Sequence, residues 1–126
     1  MIFRGDVISA LYRRRAWLTL CGHTHWQAGW SLKRREEVTP LKPVFESSDR
    51  AEQFELKLYG GYRYLLNPGS VGQPRDRDWR AAFALYDDAH ASFTWFRVPY
   101  KVLEAQRRIR RVGLPEDLAS CLQGGA

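Results

Sequence analysis

The chain has 126 residues, of which 44% are hydrophobic and 13% aromatic, enough apolar material for the core of one globular domain. Twenty lysines and arginines against fourteen acidic residues give a net charge of +6, which favours anionic partners such as phosphate groups, nucleic acid or acidic membrane surfaces. Two distant cysteines, Cys21 and Cys121, exclude a disulfide scaffold, and no apolar stretch approaches the roughly 18 residues that cross a bilayer. We therefore expect a soluble cytoplasmic domain that has no signal peptide and does not enter the membrane.

The first predicted elements are a short helix over about residues 6–14 and a strand in the run WLTLC, residues 17–21. The helix follows from apolar residues at helical spacing, and the apolar run is typical of a strand buried on both faces. After the loop that follows WLTLC, residues 28–34 predict the next strand. The polar, proline-containing residues 36–53 predict a loop or mobile insert.

In the second half, FELKLY and YRYLL are separated by Gly60 and Gly61, which predicts a β-hairpin. Two further strands, RAAFALYD and SFTWFRV, are predicted to pair antiparallel, with Phe93, Trp95 and Arg97 on one face. His90 lies between these strands and is interpreted as an exposed turn residue.

Two helices are predicted near the C-terminus. In the run KVLEAQRRIRRV, residues 101–112, the apolar residues follow one helical stripe, and Gly113 is a plausible end for the helix. The run GLPEDLASCL then predicts a last short helix with Pro115 in its first turn.

The most distinctive chemistry lies in CGHTHW, residues 21–26, where His23 and His25 follow the apolar run. In an extended backbone, residues two apart point to the same side, so both imidazoles would face one small volume while Thr24 points away. Gly22 would let the backbone turn tightly and leave the site open. The pattern is compatible with metal ligation, but on these residues alone a pair of polar residues that hydrogen-bond to backbone at a strand end explains it as well.

A second candidate region is the loop NPGSVGQPRDRD, residues 67–78, which is dense in glycine, proline, asparagine and aspartate. Its Arg75 could make a bidentate contact with a phosphate group. Exposed backbone N–H groups of such a loop could also hold an anion. The alternative interpretation is a tight turn that only links two strands.

Taken together, GHTH at the end of an apolar strand, the run LLNPGSVGQPRD, the strand RAAFALYD, and VPY with GLPEDLA near the C-terminus resemble the C-terminal part of a calcineurin-like metallophosphoesterase. The resemblance is to the small bacterial and archaeal branch, described as phosphodiesterase-like or diadenosine-tetraphosphatase-like. It implies an α+β (α/β) fold that forms the C-terminal half of a four-layer αββα sandwich, with mostly antiparallel strands and C-terminal helices. Residues 1–126 would then be the C-terminal part of one domain whose N-terminal metal-binding half is missing.

The resemblance also implies a site. The family's centre holds two divalent ions, commonly manganese, iron or zinc. The resemblance implies that His25 is a ligand of the first ion and His23 a ligand of the second. No catalytic residue is assigned in this chain. The residues that would form a loop beside the site are Asn67, Gly69, Ser70 and Arg75, with Arg75 as a candidate phosphate contact.

The family's remaining ligands come from DxH, GDxxD and GNHD motifs and from a further histidine, and none of these is matched here. Asp6, in GDVIS, is a chance likeness to GDxxD. Two imidazoles alone cannot hold two catalytic metals. We therefore expect an N-terminally truncated chain that is inactive alone.

The implied function is metal-dependent hydrolysis of phosphomonoesters or phosphodiesters, with a small phosphoester or a nucleotide as substrate. An apolar face left uncovered by the missing half predicts self-association or aggregation. One alternative is a basic nucleic-acid-binding module, suggested by residues 13–15, residues 33–35 and the helix QRRIRR. The other is a degenerate, non-catalytic relative.

Overall fold

The computed structural model describes residues 4–13, 15–33 and 37–125, which form three helices and seven strands. The helices are α1 (Arg4–Arg13), α2 (Val102–Arg111) and α3 (Glu116–Gly124). The strands are β1 (Leu18–Leu20), β2 (Gln27–Lys33), β3 (Glu37–Leu41), β4 (Glu52–Lys57), β5 (Tyr62–Pro68), β6 (Ala81–Asp87) and β7 (Ser92–Val98). The predicted α+β class, with C-terminal helices, is confirmed.

The strands form two sheets. The first has the order β1-β5-β2-β3, in which β5 runs parallel to β1 and antiparallel to β2. The second has the order β4-β7-β6 and is antiparallel throughout. Mostly antiparallel pairing was the expectation from the sequence, and it is confirmed.

Apolar side chains from both sheets meet in one core. Leu66 of β5 packs with Phe93 and Trp95 of β7, and each of the three is at most 2% exposed. A second cluster joins α1 to the opposite face of the first sheet, through Val7 and Leu11. The order of layers is therefore α1, first sheet, second sheet.

The antiparallel pair β6–β7 is confirmed, and Phe93, Trp95 and Arg97 lie on one face of β7, as predicted; the structure shows that all three are buried. The two C-terminal helices are also confirmed, although Pro115 lies at the N-cap of α3 rather than inside its first turn. His90 is an exposed turn residue, as expected, and its Nδ1 lies 2.8 Å from Oδ2 of Asp87.

The predicted β-hairpin around Gly60 and Gly61 is wrong. Strand β4 pairs with β7 in the second sheet, and this pairing continues where the N–H of Leu58 donates to the carbonyl oxygen of Ala91 at 2.8 Å. Strand β5 pairs with β1 and β2 in the first sheet. Phe54 and Leu56 of β4 pack against the core between the sheets, opposite β5, and a turn signal cannot distinguish this arrangement from a hairpin.

The predicted loop over residues 36–53 is wrong in part, because Glu37–Leu41 forms β3, which pairs antiparallel with β2, and Glu52 and Gln53 begin β4. Strand β3 ends the order of its sheet and contains Pro40. An edge strand accepts proline because one side of it needs no ladder hydrogen bonds. The proline was therefore a sign of an edge position, not of a loop.

Strand β1 exists as predicted but is not buried on both faces, since Leu18 and Thr19 are half-buried and Leu20 is 55% exposed. The reason is its place at the other end of the first sheet, where β5 is its neighbour among the described strands. Trp17, next to this strand, is also partly exposed and contacts Tyr86 edge to face.

A buried ionic network crosses the second sheet. Arg80 is 2% exposed and binds Asp78 through Nη2 at 2.6 Å and Glu52 through Nη1 at 2.8 Å. Arg97 is 4% exposed and pairs with Asp76. The network ties β4, β7 and Arg80, the residue before β6, to residues 76–78, the last part of the candidate phosphate loop.

No helix among the described residues is long and apolar enough to span a membrane. Both cysteines, Cys21 and Cys121, are free thiols, in keeping with the absence of a disulfide scaffold. The cytoplasmic location stays a prediction.

The network predicts an acid-sensitive fold. Burial raises the pKa of Asp78, but hydrogen bonds from Arg80 outweigh it and hold the pKa below the ordinary value of 3.8. A depressed pKa means that Asp78 stabilises the fold above its ordinary pKa and loses this contribution as the pH falls through the lower value of the folded state. We expect Asp78→Asn to lower the free energy of unfolding at pH 7 by about 2 kcal/mol.

The measurement is urea unfolding at pH 7 and near pH 3, with Asp88→Asn, in the exposed turn before β7, as the control. The difference between Asp78→Asn and the parent protein should shrink at the lower pH. Equal differences at both pH values would contradict the role of Asp78.

The exposed edge of β1 predicts self-association. An edge strand with apolar side chains offers open hydrogen-bonding groups and uncovered surface to a second chain. We expect Leu20→Lys to reduce the associated fraction in sedimentation velocity, because a charged edge residue opposes pairing. Leu114→Lys, exposed between α2 and α3, is the control. A monomeric parent protein would contradict this prediction.

Candidate metal centre

The two histidines lie on the loop between β1 and β2, with His23 exposed and His25 half-buried. Strands β1 and β5 are parallel, so their carboxyl ends meet at one edge of the first sheet. The loop after β1 therefore lies beside the loop after β5. This topology brings CGHTHW and NPGSVGQPRD together, although residues 27–66 separate them in the sequence.

The backbone of the histidine loop is not extended, which corrects the geometry expected from the sequence. His23 has a φ of 74° and His25 a φ of 63°, both in the left-handed region that non-glycine residues rarely adopt. The N–H of Thr24 donates to the carbonyl oxygen of Gly22 at 3.0 Å, so His23 is the centre of a γ-turn, a rare and strained kind. The tight turn falls on His23 rather than on Gly22.

Such strain persists only where neighbouring groups fix the conformation, and Asn67 does so here. Its side-chain amide donates to the carbonyl oxygen of Gly22 at 3.1 Å and to the hydroxyl of Thr24 at 3.0 Å. Thr24 thus faces the protein and holds the loop. Asn67 is itself 5% exposed, which makes these bonds difficult for water to replace.

The imidazole of His25 is oriented by a backbone group. Its Nδ1 lies 2.7 Å from the carbonyl oxygen of Gln73. A carbonyl oxygen can only accept, so Nδ1 carries the hydrogen and Nε2 of the neutral ring keeps its lone pair. Histidines that bind metals are commonly held in this way, with one nitrogen donating to a backbone carbonyl and the other free for the ion.

Ser70 in turn holds Gln73. Its hydroxyl oxygen accepts hydrogen bonds from the N–H of Gly72 at 3.3 Å and of Gln73 at 3.0 Å. These bonds fix the turn that aims the Gln73 carbonyl at His25. Sequence reasoning selected Ser70 but missed Gln73, since Gln73 acts through its backbone and its side-chain type carries no signal.

Gly69 is required by close packing. Its φ is 90°, and a Cβ added there would lie 2.7 Å from both Cβ of Ala82 and Cγ of Gln27. Gln27, also missed from the sequence, is buried and donates to the carbonyl oxygens of Phe83 and Phe96 at 3.2 and 2.9 Å. The loop after β5 therefore packs against the second sheet.

The structure thus brings together five of the six predicted site residues, namely His23, His25, Asn67, Gly69 and Ser70. The sixth, Arg75, is exposed two residues beyond Gln73. Nothing in the described contacts ties its guanidinium to the histidines.

The donor set fits part of a metal centre. His25 has Nε2 outside the hydrogen bond that Nδ1 makes with Gln73, and His23 is exposed two residues before it. Within residues 4–13, 15–33 and 37–125, no group of three or more histidine, cysteine, aspartate or glutamate side chains could hold a metal ion. A stable site needs ligands in addition to these two imidazoles.

Comparison with solved structures identifies a class of protein that has a similar fold. The fold matches a crystal structure of a metallophosphoesterase from Sphaerobacter thermophilus with a TM-score of 0.73 and 32% sequence identity. The match covers 95% of this chain and 48% of that enzyme, of which it is the C-terminal part. The resemblance to the C-terminal part of a calcineurin-like metallophosphoesterase, a class of hydrolases that use divalent metals, is confirmed.

A sequence relative is an uncharacterised protein of Methanocaldococcus jannaschii, which is 40% identical over 60 residues. The matched region is 48% of this chain and 25% of that protein. No family model matches the chain. The chain thus spans about half of the solved enzyme and about a quarter of the archaeal protein.

The hydrogen bonds of Ser70 predict that this residue controls the tautomer of His25 through Gln73, although Ser70 does not contact His25 itself. We expect Ser70→Ala to release the Gln73 carbonyl, so that the His25 ring shifts towards a mixture of tautomers and metal affinity falls about tenfold. The measurements are the nitrogen-15 NMR shifts of the imidazole and a zinc titration. Ser70→Thr should retain both properties.

Ser47 offers a matched control, because its hydroxyl accepts from the N–H of Asp49 and Arg50 in the same kind of turn, both at 3.2 Å. Ser47→Ala should leave the His25 tautomer unchanged. If Ser70→Ala also leaves it unchanged while remaining folded, the orienting role of Ser70 is wrong.

Proposed function

We propose that this chain supplies part of the dinuclear metal centre of a phosphoesterase that hydrolyses phosphomonoesters or phosphodiesters. The observation that carries the proposal is the orientation of His25, whose Nδ1 is committed to the Gln73 carbonyl while Nε2 is left for an ion. A histidine that only hydrogen-bonds to backbone would make the same contact, but it gives no reason for the strained left-handed turn at His23. His23 and His25 are the proposed ligands of the second and the first metal.

The metal identity stays open among manganese, iron and zinc, since imidazole accepts each of these ions. Divalent ions at such a centre neutralise phosphoryl oxygens and lower the pKa of a bound water. The residues of this chain position that centre: Asn67 fixes the histidine loop, and Ser70 fixes the acceptor of His25. The exposed guanidinium of Arg75 is the candidate phosphate contact.

The proposal includes a second segment, outside these 126 residues, that supplies the remaining ligands. Its support is the ligand count, because two imidazoles leave each ion short of the oxygen ligands that a dinuclear centre needs. The exposed edge of β1, with Leu20 at its end, is a surface on which that segment could pack. The chain by itself is then inactive, and the substrate is a small phosphoester or a nucleotide.

Binding of nucleic acid by the basic residues has less support. Two arginines of α2 are already paired, Arg108 with Glu104 at 2.6 Å and Arg110 with Glu116 at 2.5 Å. Of the other basic runs in this hypothesis, Arg14, Arg34 and Arg35 lie outside the described residues. A degenerate, non-catalytic relative would fold in the same way but bind no metal at the histidines.

Metal titration tests the proposal directly. Isothermal titration of the protein with zinc and with manganese should show binding that His25→Ala weakens at least about tenfold, because an imidazole ligand is lost. His90→Ala is the matched control, since His90 is exposed and bound to Asp87 in a distant turn. Equal metal binding by all three proteins would contradict the assignment of His25.

The same preparation tests incompleteness. Incubated with bis(4-nitrophenyl) phosphate and either metal, the chain alone should release no nitrophenolate above the metal blank. Turnover that depends on His25 would contradict the need for ligands from another segment.

A further inference from the structure

A groove of about 440 Å³ opens beside the histidine loop. Its wall begins with Trp26 and Gln27, the two residues that follow His25, and it includes Lys42, Arg77 and Trp79. We call it the Trp26 groove. Its volume is in the range of small-molecule sites in proteins.

The free charge of the groove is positive. Asp76 and Asp78 line it, but their carboxylates are bound by the buried guanidiniums of Arg97 and Arg80. Lys42 and Arg77, both exposed, have no carboxylate among the described residues within ion-pair distance. A concave surface with cations of this kind attracts a negatively charged ligand.

Arg77 is held in place by its backbone. It has a φ of 65°, and its N–H donates at 2.7 Å to the carbonyl oxygen of Gly125, at the end of α3. A Cβ on Gly125 would lie within 2.7 Å of the backbone of Arg77 and Asp78, so only glycine permits this contact. A non-glycine residue in this conformation is uncommon and persists where several contacts fix it, as occurs at ligand sites.

The groove also offers aromatic surface. Trp26 is 46% exposed, and the Nζ of Lys42 lies 5.9 Å from the centre of its ring. Trp79 is fixed by a hydrogen bond from its indole N–H to the carbonyl oxygen of Ser48 at 3.1 Å. Exposed indole surface is well suited to nucleobases, and Lys42, beside the Trp26 ring, can bind an anionic group attached to one.

We propose that the Trp26 groove binds the part of the substrate that carries a planar aromatic ring and a negative charge of its own, as in a nucleoside phosphate. The inference rests on the proposed function, which supplies the reacting phosphoester at the histidines next to the groove. It narrows the substrate from phosphoesters in general to those with an aromatic, anionic substituent. Trp26 recognises the ring, and the cations Lys42 and Arg77 recognise the charge.

The test measures binding without metal, so that it does not depend on the metal centre. The protein is titrated calorimetrically in EDTA with adenosine 5′-monophosphate, adenosine and inorganic phosphate. The monophosphate should bind more tightly than either of its parts. Trp26→Ala should lower the affinity for the monophosphate and for adenosine about tenfold. Trp26→Phe should retain most of both affinities.

Arg77→Ala should lower the affinity for the monophosphate about tenfold and reduce the salt dependence of its binding. The affinity for adenosine should not change. Arg111→Ala, an exposed arginine of α2 away from the groove, is the control for loss of a surface charge. Thermal unfolding of each variant shows that it is folded.

The proposal is overturned if the monophosphate does not bind, if phosphate alone binds equally well, or if Trp26→Phe and Trp26→Ala behave alike. Zinc titration in the absence of EDTA separates this failure from failure of the proposed function. Zinc binding that depends on His25, without binding of the monophosphate, would reject the groove and leave the metal centre standing. If the monophosphate binds in EDTA but the protein binds no zinc in the separate titration, the metal centre is rejected and the groove stands.

Discussion

The side chain of Asn67 joins the parts of the molecule on which the candidate site depends. Its amide holds the carbonyl of Gly22 and the hydroxyl of Thr24, while its own side-chain oxygen accepts the N–H of Gly69 at 2.9 Å. Its backbone oxygen accepts the indole N–H of Trp95, in the centre of the second sheet, at 2.8 Å. One buried residue thus fixes the histidine loop, the loop after β5 and the spacing of the two sheets. Because Asn67 is almost fully buried, each unmade bond would leave a polar group without a partner, which is why these contacts act as a unit.

The buried arginines serve the site at a greater distance. Arg80 and Arg97 bind the carboxylates of Asp78 and Asp76, which fixes the end of the loop whose beginning is fixed by Asn67. A loop held at both ends can present Gln73 to His25 and Arg77 to the groove with little freedom, and preorganisation of this kind is what metal and ligand sites require. Neutralising Asp76 and Asp78 also leaves Lys42 and Arg77 as the free charges of the groove. The same ion pairs therefore contribute to the fold and to the electrostatics of the proposed ligand site.

Much of the fold could be read from local patterns. A helical stripe predicted α2, the run GLPEDLASCL with its Pro115 predicted α3, and alternation placed Phe93, Trp95 and Arg97 on one face of β7. The sequence predictions were wrong where one local signal is compatible with two tertiary arrangements. Gly60 and Gly61 permit a turn, but whether the strands on either side pair with each other or face each other across a core depends on the surface that each can bury. Pro40 forbids a central strand but is acceptable at the edge, and edge or centre is a property of the whole sheet.

For the site, the sequence by itself determined the chemistry: two imidazoles close together, a constrained loop and a basic charge, in a set of motifs whose resemblance to a metallophosphoesterase the fold confirms. Only the tertiary structure decided how these groups are used. The parallel pairing of β1 and β5 brings the two loops to one edge, and the left-handed backbone at His23 and His25 replaces the expected extended one. The tautomer of His25 depends on a carbonyl 48 residues away. Residue type fixes what a side chain can donate or accept, whereas its partner depends on long-range packing, to which a local pattern has no access.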